Sequence, residues 1–155
     1  MVYESAQLRT DSPKATEAFA EAIGRRLRGG ECIELVSDLG GGKTTFVRGL
    51  ARGFGSAARV SSPTFTISRE YRAGERTMYH FDFYRLQEAG IVANELAEVV
   101  HDPQAVVVAE WGDVVDSALP RERLQVVIQT TGDDERVLTL AYPPALAYLL
   151  TGVVS

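Results

Sequence analysis

Glu31-Cys32-Ile33-Glu34-Leu35-Val36-Ser37-Asp38-Leu39-Gly40-Gly41-Gly42-Lys43-Thr44 changes its periodicity partway along. Polar and apolar residues alternate as far as Val36, which suits a strand. Three consecutive glycines break the pattern, and Phe46, Val47, Leu50, Ala51 and Phe54 then recur at the spacing of one helix face. The order is strand, glycine loop, helix. Glycines let the backbone turn tightly and point successive N–H groups inward, forming an anion-binding nest at the positive end of the next helix. Lys43 would reach the outer phosphates of a nucleotide, and the Thr44 hydroxyl would ligate magnesium. Gly40, Gly41, Gly42, Lys43, Thr44 and Thr45 are therefore the candidate phosphate-binding residues. Gly-Lys-Thr alone is a weak motif, and a glycine-rich turn with an exposed lysine is the plain alternative. Its place between a strand and a helix favours the nucleotide site. The full pattern has a glycine where this chain has Ser37, so the entry to the loop differs slightly.

Around this unit the chain divides into short elements. Ser12-Pro13 resembles an N-cap with proline at the first helical position, and Phe19, Ile23 and Leu27 predict a helix over 13–28. Segments 64–71 and 77–82 read as a hairpin around Ala73-Gly74, and 86–101 as a helix interrupted at Gly90. Residues 105–109 form a β-favouring run ending in Glu110, expected to be a strand buried on both faces. A second hairpin joins 124–130 to 137–141, and Pro143-Pro144 starts a short terminal helix. No repeat, low-complexity tract or linker interrupts the chain, so 1–155 is expected to be a single domain.

A phosphate cradle binds; hydrolysis also needs a metal and an oriented water. Glu110 lies where a buried strand delivers a carboxylate to magnesium or its water shell. Asp82 ends the strand Tyr79-His80-Phe81-Asp82 and is the only acid between Glu75 and Glu88, so it is placed to orient the attacking water. The candidate catalytic residues are Lys43, Asp82 and Glu110, with Thr44 and Glu110 as metal ligands. Ser62-Pro63-Thr64-Phe65-Thr66 offers hydroxyls on a proline-stiffened loop, Arg85 is a candidate for stabilising developing charge, and Trp111 adjoins Glu110.

The 155 residues carry 16 Lys+Arg and 21 Asp+Glu, a formal charge of −5. That balance argues against a general nucleic-acid binder. Charge is uneven along the chain: residues 43–85 hold eight bases and three acids, and residues 86–120 seven acids and no base. An anionic ligand near the first segment would account for part of this. The single cysteine, Cys32, excludes an intrachain disulfide and is expected to be an inert core residue. No charged leader with an apolar run opens the sequence, and no apolar stretch approaches the roughly 20 residues that span a bilayer. A cytoplasmic protein without membrane contact is expected.

Taken with Ser37 to Gly49, Ser62 to Thr66 and Glu110-Trp111, the block His80-Phe81-Asp82-Phe83-Tyr84-Arg85-Leu86 resembles the TsaE family. These are small bacterial P-loop ATPases required for threonylcarbamoyladenosine formation in tRNA. The resemblance covers roughly residues 8–140 and leaves 143–155 as a C-terminal extension. It implies a P-loop NTPase-like three-layer α/β fold with a mixed central sheet and ATP with Mg2+ at the loop. It also implies work with the partner proteins TsaB and TsaD, with tRNA met only through that complex. Carried over by position, Lys43 and Thr44 match the phosphate and magnesium residues, and Asp82 and Glu110 the functional acids. Ser62 to Thr66 match a switch-like loop, and Gly112 stands where many members carry proline. No second basic loop obviously covers the phosphates, so hydrolysis by the isolated chain is expected to be slow. Two other readings compete: a nucleotide-dependent switch that does not hydrolyse, and a small-metabolite P-loop kinase with Arg69, Arg72 and Arg76 over an acceptor.

Overall fold

The computed structural model describes residues 3–37, 42–57, 68–82, 96–110 and 119–153. Along the chain lie β1 (Glu4–Thr10), α1 (Pro13–Gly24), β2 (Cys32–Ser37), α2 (Lys43–Phe54), β3 (Ser68–Ala73), β4 (Arg76–Asp82), β5 (Ala105–Glu110), β6 (Leu124–Thr130) and β7 (Arg136–Tyr142), followed by a 3-10 helix at Pro144–Leu150. Residues 96–100 are also helical. The strands form one seven-stranded sheet in the order β1-β7-β6-β2-β5-β4-β3. β2 runs parallel to β5 and β6, and β4 parallel to β5. Antiparallel pairs β3–β4, β6–β7 and β1–β7 complete the two margins, so the expected mixed sheet is present.

Burial explains which sequence runs became central. All six residues of β5 are buried, because it lies between β2 and β4 with cover on both faces. On one face, Ile33, Leu35, Met78, Val106, Val108, Leu124, Val126 and Ile128 pack with the apolar stripes of α1 and α2. On the other, Cys32, Phe81, Val107 and Ala109 pack with Leu96 and Leu119. Strand side chains alternate in direction, so Ser37, His80, Asp82 and Glu110 share the helix-covered face.

Two differences from the sequence reading have local causes. No strand was expected at residues 4–10, where only Ala6 and Leu8 are apolar. β1 is a mostly exposed margin strand whose pairing with β7 runs from Glu4↔Tyr142 to Thr10↔Arg136. α1 stops at Gly24 instead of 28, because Arg26 N–H bonds to Ile23 and Leu27 N–H to Gly24 at 2.9 and 3.2 Å, tightening the last turn to three-residue steps. The first hairpin is described from Ser68 onward; 64–67, and 86–95 of the expected helix, lie outside the described residues.

The 3-10 helix buries Leu146, Leu149 and Leu150 in the main core. It is also tied to the turn before β2. Glu31 accepts the N–H groups of Arg28 and Gly29 at 2.8 and 2.7 Å and the Tyr148 hydroxyl at 2.5 Å. The Arg28 guanidinium lies 4.0 Å over the Tyr148 ring. Burial, with the Glu31 carboxylate beside it, holds the Tyr148 hydroxyl well above its ordinary pKa.

α1 and α2 meet backbone to backbone through glycine. A Cβ at Gly49 would lie 2.2 Å from the Glu17 carbonyl oxygen and 2.8 Å from the Ala20 Cβ. Arg52 laces the exposed rim to Glu17 and Glu21 at 2.6 and 2.9 Å. This contact fixes the axis of α2 against the sheet. Gly49→Ala should therefore cost about 1–3 kcal/mol of stability by overpacking, read as a lower urea midpoint; an unchanged midpoint would refute the close approach.

Cys32 is 2% exposed, and burial pushes its thiol up to about 12. The native protein should leave thiol reagents unreacted at pH 8 and react on unfolding. An unfolded thiol ionises near its ordinary 9.0 and the folded one near 12, so the unfolded state sheds its proton first. The Cys32 contribution to stability is thus intact below the first value and falls as pH climbs through that window. A Cys32→Ala variant that declines as steeply across it would contradict the assignment.

Candidate functional site

β2 ends at Ser37 and α2 begins at Lys43, with Gly42 as its N-cap in the left-handed region, φ 103°. A Cβ at Gly42 would meet only the Arg136 Nε, at 3.7 Å, so backbone conformation and not space calls for glycine there. The helix start has no side-chain cap and no acid in its first turn. Its positive pole therefore faces the loop mouth without a carboxylate from the helix itself. Lys43, Thr44 and Thr45 occupy the first turn, where the phosphate reading requires them.

The acids arrive from the neighbouring strands. In the parallel ladders Glu110 pairs with Leu35 on one side and with Asp82 on the other. Both candidate acids thus leave the sheet at the edge where the glycine loop begins, the edge at which open α/β sheets bind ligands. Glu110 is 4% exposed. Its Oε1 lies 3.7 Å from the Lys43 Nζ, and its Oε2 lies 2.7 Å from the Nε2 of His80. A carboxylate this deep is costly unless it is paired and hydrogen-bonded, and here it has both. Asp82 is half-buried beside it.

Of the residues expected at the site, Gly42, Lys43, Thr44, Thr45, Asp82 and Glu110 come together. Gly40, Gly41, Ser62 to Thr66, Arg85 and Trp111 lie outside the described residues. Among the hairpin arginines offered for a kinase, Arg76 donates to the Leu27 carbonyl at 2.6 Å and lies 4.7 Å over the Phe54 ring. It is committed to holding β4 against the helices.

Two residues at the site were given no role by the sequence. His80 is one, and its two-residue spacing from Asp82 was the available clue, since it puts both on one face. Arg136 is the other. Its Nη1 donates to the carbonyls of Gly132, Asp133 and Glu135 at 3.3, 3.2 and 2.9 Å, binding the β6–β7 turn together. With Pro13, Thr16, Gly42, Thr45 and Asp134 it lines a small cleft beside the start of α2. No sequence motif marks it.

Gly42 capping a helix that follows a parallel strand, a lysine and threonine in that helix's first turn and acids on the adjoining strand ends define a P-loop NTPase-like α/β fold. The crystal structure of Bacillus subtilis YdiB is similar, with a TM-score of 0.77 and 32% identity over 99% of this chain and 96% of that one. The family model for "Threonylcarbamoyl adenosine biosynthesis protein TsaE" matches residues 10–138, and the chain belongs to that family. The tRNA threonylcarbamoyladenosine biosynthesis protein TsaE of Bacillus subtilis is 43% identical over 131 residues, 84% of this chain and 82% of that protein. The protein of the same name in Treponema pallidum is 35% identical over 130 residues, 84% and 96% of the two chains. Among the described residues no helix is long and apolar enough to cross a membrane.

Arg136→Ala should loosen the β6–β7 turn, whose carbonyls would lose a charged donor. A loss of about 1 kcal/mol is expected for these largely exposed bonds, measured by urea unfolding; no loss would show that the turn holds itself.

Proposed function

We propose that this chain binds ATP with Mg2+ at the start of α2 and hydrolyses it in support of threonylcarbamoyl modification of tRNA adenosine, acting in the cytoplasm with TsaB and TsaD. The observation that carries this reading is the buried Glu110 carboxylate facing Lys43 at 3.7 Å at the mouth of the glycine loop. Family membership supports the pathway, and the relatives' names refer to the same modified nucleoside. The donors suit the cofactor: the Thr44 hydroxyl and the Glu110 carboxylate are hard oxygen ligands of the kind magnesium takes.

When bound, the cation would neutralise charge across the outer phosphates. Gly40 to Thr45 would cradle the phosphates through backbone amides, with Lys43 leaving Glu110 to meet the outer ones. Thr44 would supply a hydroxyl ligand. Glu110, released from Lys43, would serve the metal or its water shell, and Asp82 would orient the attacking water. tRNA would be met only through the partner complex.

Lys43→Ala should weaken Mg-ATP binding by about tenfold or more through loss of a phosphate contact, measured with a fluorescent nucleotide. Glu110→Gln and Asp82→Ala should keep binding and lose phosphate release. Wild-type turnover should be slow alone and rise on adding TsaB and TsaD. Full-speed hydrolysis by the isolated chain would sink partner dependence. Stimulation of partners retained without hydrolysis would favour a binding switch, and label from ATP in a small acceptor would favour a kinase.

A further inference from the structure

His80 is 1% exposed, so it cannot touch a bound nucleotide, yet its ring lies against the most buried acid of the site. We propose that His80 is a positioning residue: its Nε2–H donates to Glu110 Oε2 and holds the carboxylate so that Oε1 faces Lys43 and the phosphate end of α2. The hydrogen bond is argued from geometry alone, whereas its consequence for turnover rests on the ATPase reading above.

The ladder makes the contact a diagonal one. Opposite His80 in β5 stands Val108, and opposite Asp82 stands Glu110, so His80 reaches two residues along the neighbouring strand on the shared face. Both residues are fixed by strands buried in the sheet, and neither needs a loop to bring it into place.

The proton's place follows from the partners. A bond of 2.7 Å between Nε2 and a carboxylate oxygen needs one hydrogen between them. The Nδ1 atom is buried and, among the described residues, has no hydrogen-bond partner. A hydrogen on Nδ1 would be an orphaned donor, the rarest kind of buried polar group, whereas a bare nitrogen leaves only a lone pair unmet. The Nε2–H form is the one that makes the bond to Glu110 and buries no unpaired N–H.

With Oε2 taken by His80, the carboxylate plane is set and Oε1 is the oxygen turned to Lys43. A carboxylate without this second partner would rotate about its terminal bond, and its working oxygen would be aimed only part of the time. Outer partners of this kind typically account for about 10–100-fold in activity.

The chain has two histidines, so its imidazole nitrogen spectrum is simple to assign. In 15N-labelled wild-type protein, with His101→Gln identifying the exposed ring, the His80 signals should show Nε2 protonated and Nδ1 bare. In Glu110→Ala that pattern should be lost or shifted. A protonated Nδ1 in the wild type, or signals indifferent to Glu110→Ala, would overturn the hydrogen bond without touching the proposed function. For turnover, His80→Phe should keep the Mg-ATP dissociation constant within about threefold and lower kcat by about 10–100-fold. His80→Gln, whose amide nitrogen can take the Nε2 position, should recover most of it. Equal losses in the two variants, no loss, or a loss confined to affinity would overturn the positioning role. A wild-type chain that neither binds nor hydrolyses ATP would instead overturn the ATPase reading, with the hydrogen bond still decided by the nitrogen spectrum.

Discussion

Parallel pairing between β2 and β5 sets Leu35 beside Glu110, and the rest of the site hangs on that register. Parallel strands leave a sheet at the same edge, so the glycine loop after β2 and the acids ending β4 and β5 emerge together. A slip of one residue would turn Glu110 to the opposite face, away from Lys43, and put Ala109 on the helix-covered face in its place. The apolar run Val106-Val107-Val108 resists that slip weakly, because valine suits either face. What specifies the register is the polar end: a buried carboxylate has its two partners, Lys43 and His80, only on the helix-covered side.

The helix layer supplies the other half of the constraint. α2 must present its first turn to this edge, and its axis is set by α1 through the glycine contact at Gly49 and the Arg52 bridges. Shape and charge act on different atoms of the same interface. Close approach excludes a tilted α2, and the exposed ion pairs add the modest amount typical of surface bridges. Lys43 then reaches Glu110 from a helix whose position was decided by residues two turns away.

The sequence made legible the elements whose pattern is local. The glycine run between an alternating strand and a helical stripe was readable, as was the Ala105–Glu110 strand, because total burial requires continuous apolar residues. β1 was not, since a margin strand exposed to water needs few apolar residues and takes its conformation from β7. His80 escaped because a lone histidine in an aromatic-rich strand looks like core until its partner across the sheet is known. Arg136 escaped for a related reason: its partners are main-chain carbonyls, which leave no trace in composition. The short end of α1 depended on two i→i−3 bonds that periodicity cannot foresee, since Leu27 continues the apolar spacing beyond the helix.

The bond between Tyr148 and Glu31 joins a segment beyond the matched family region to the entry of β2. β2 is the strand whose far end opens into the glycine loop, so the terminal 3-10 helix grips the base of the element that carries the loop at its tip. Strand β2 is thus anchored like a lever at its fulcrum. The terminal segment bears on β2 at the end opposite Ser37, which makes it a place where stiffness of that strand can vary while the residues of the site stay the same.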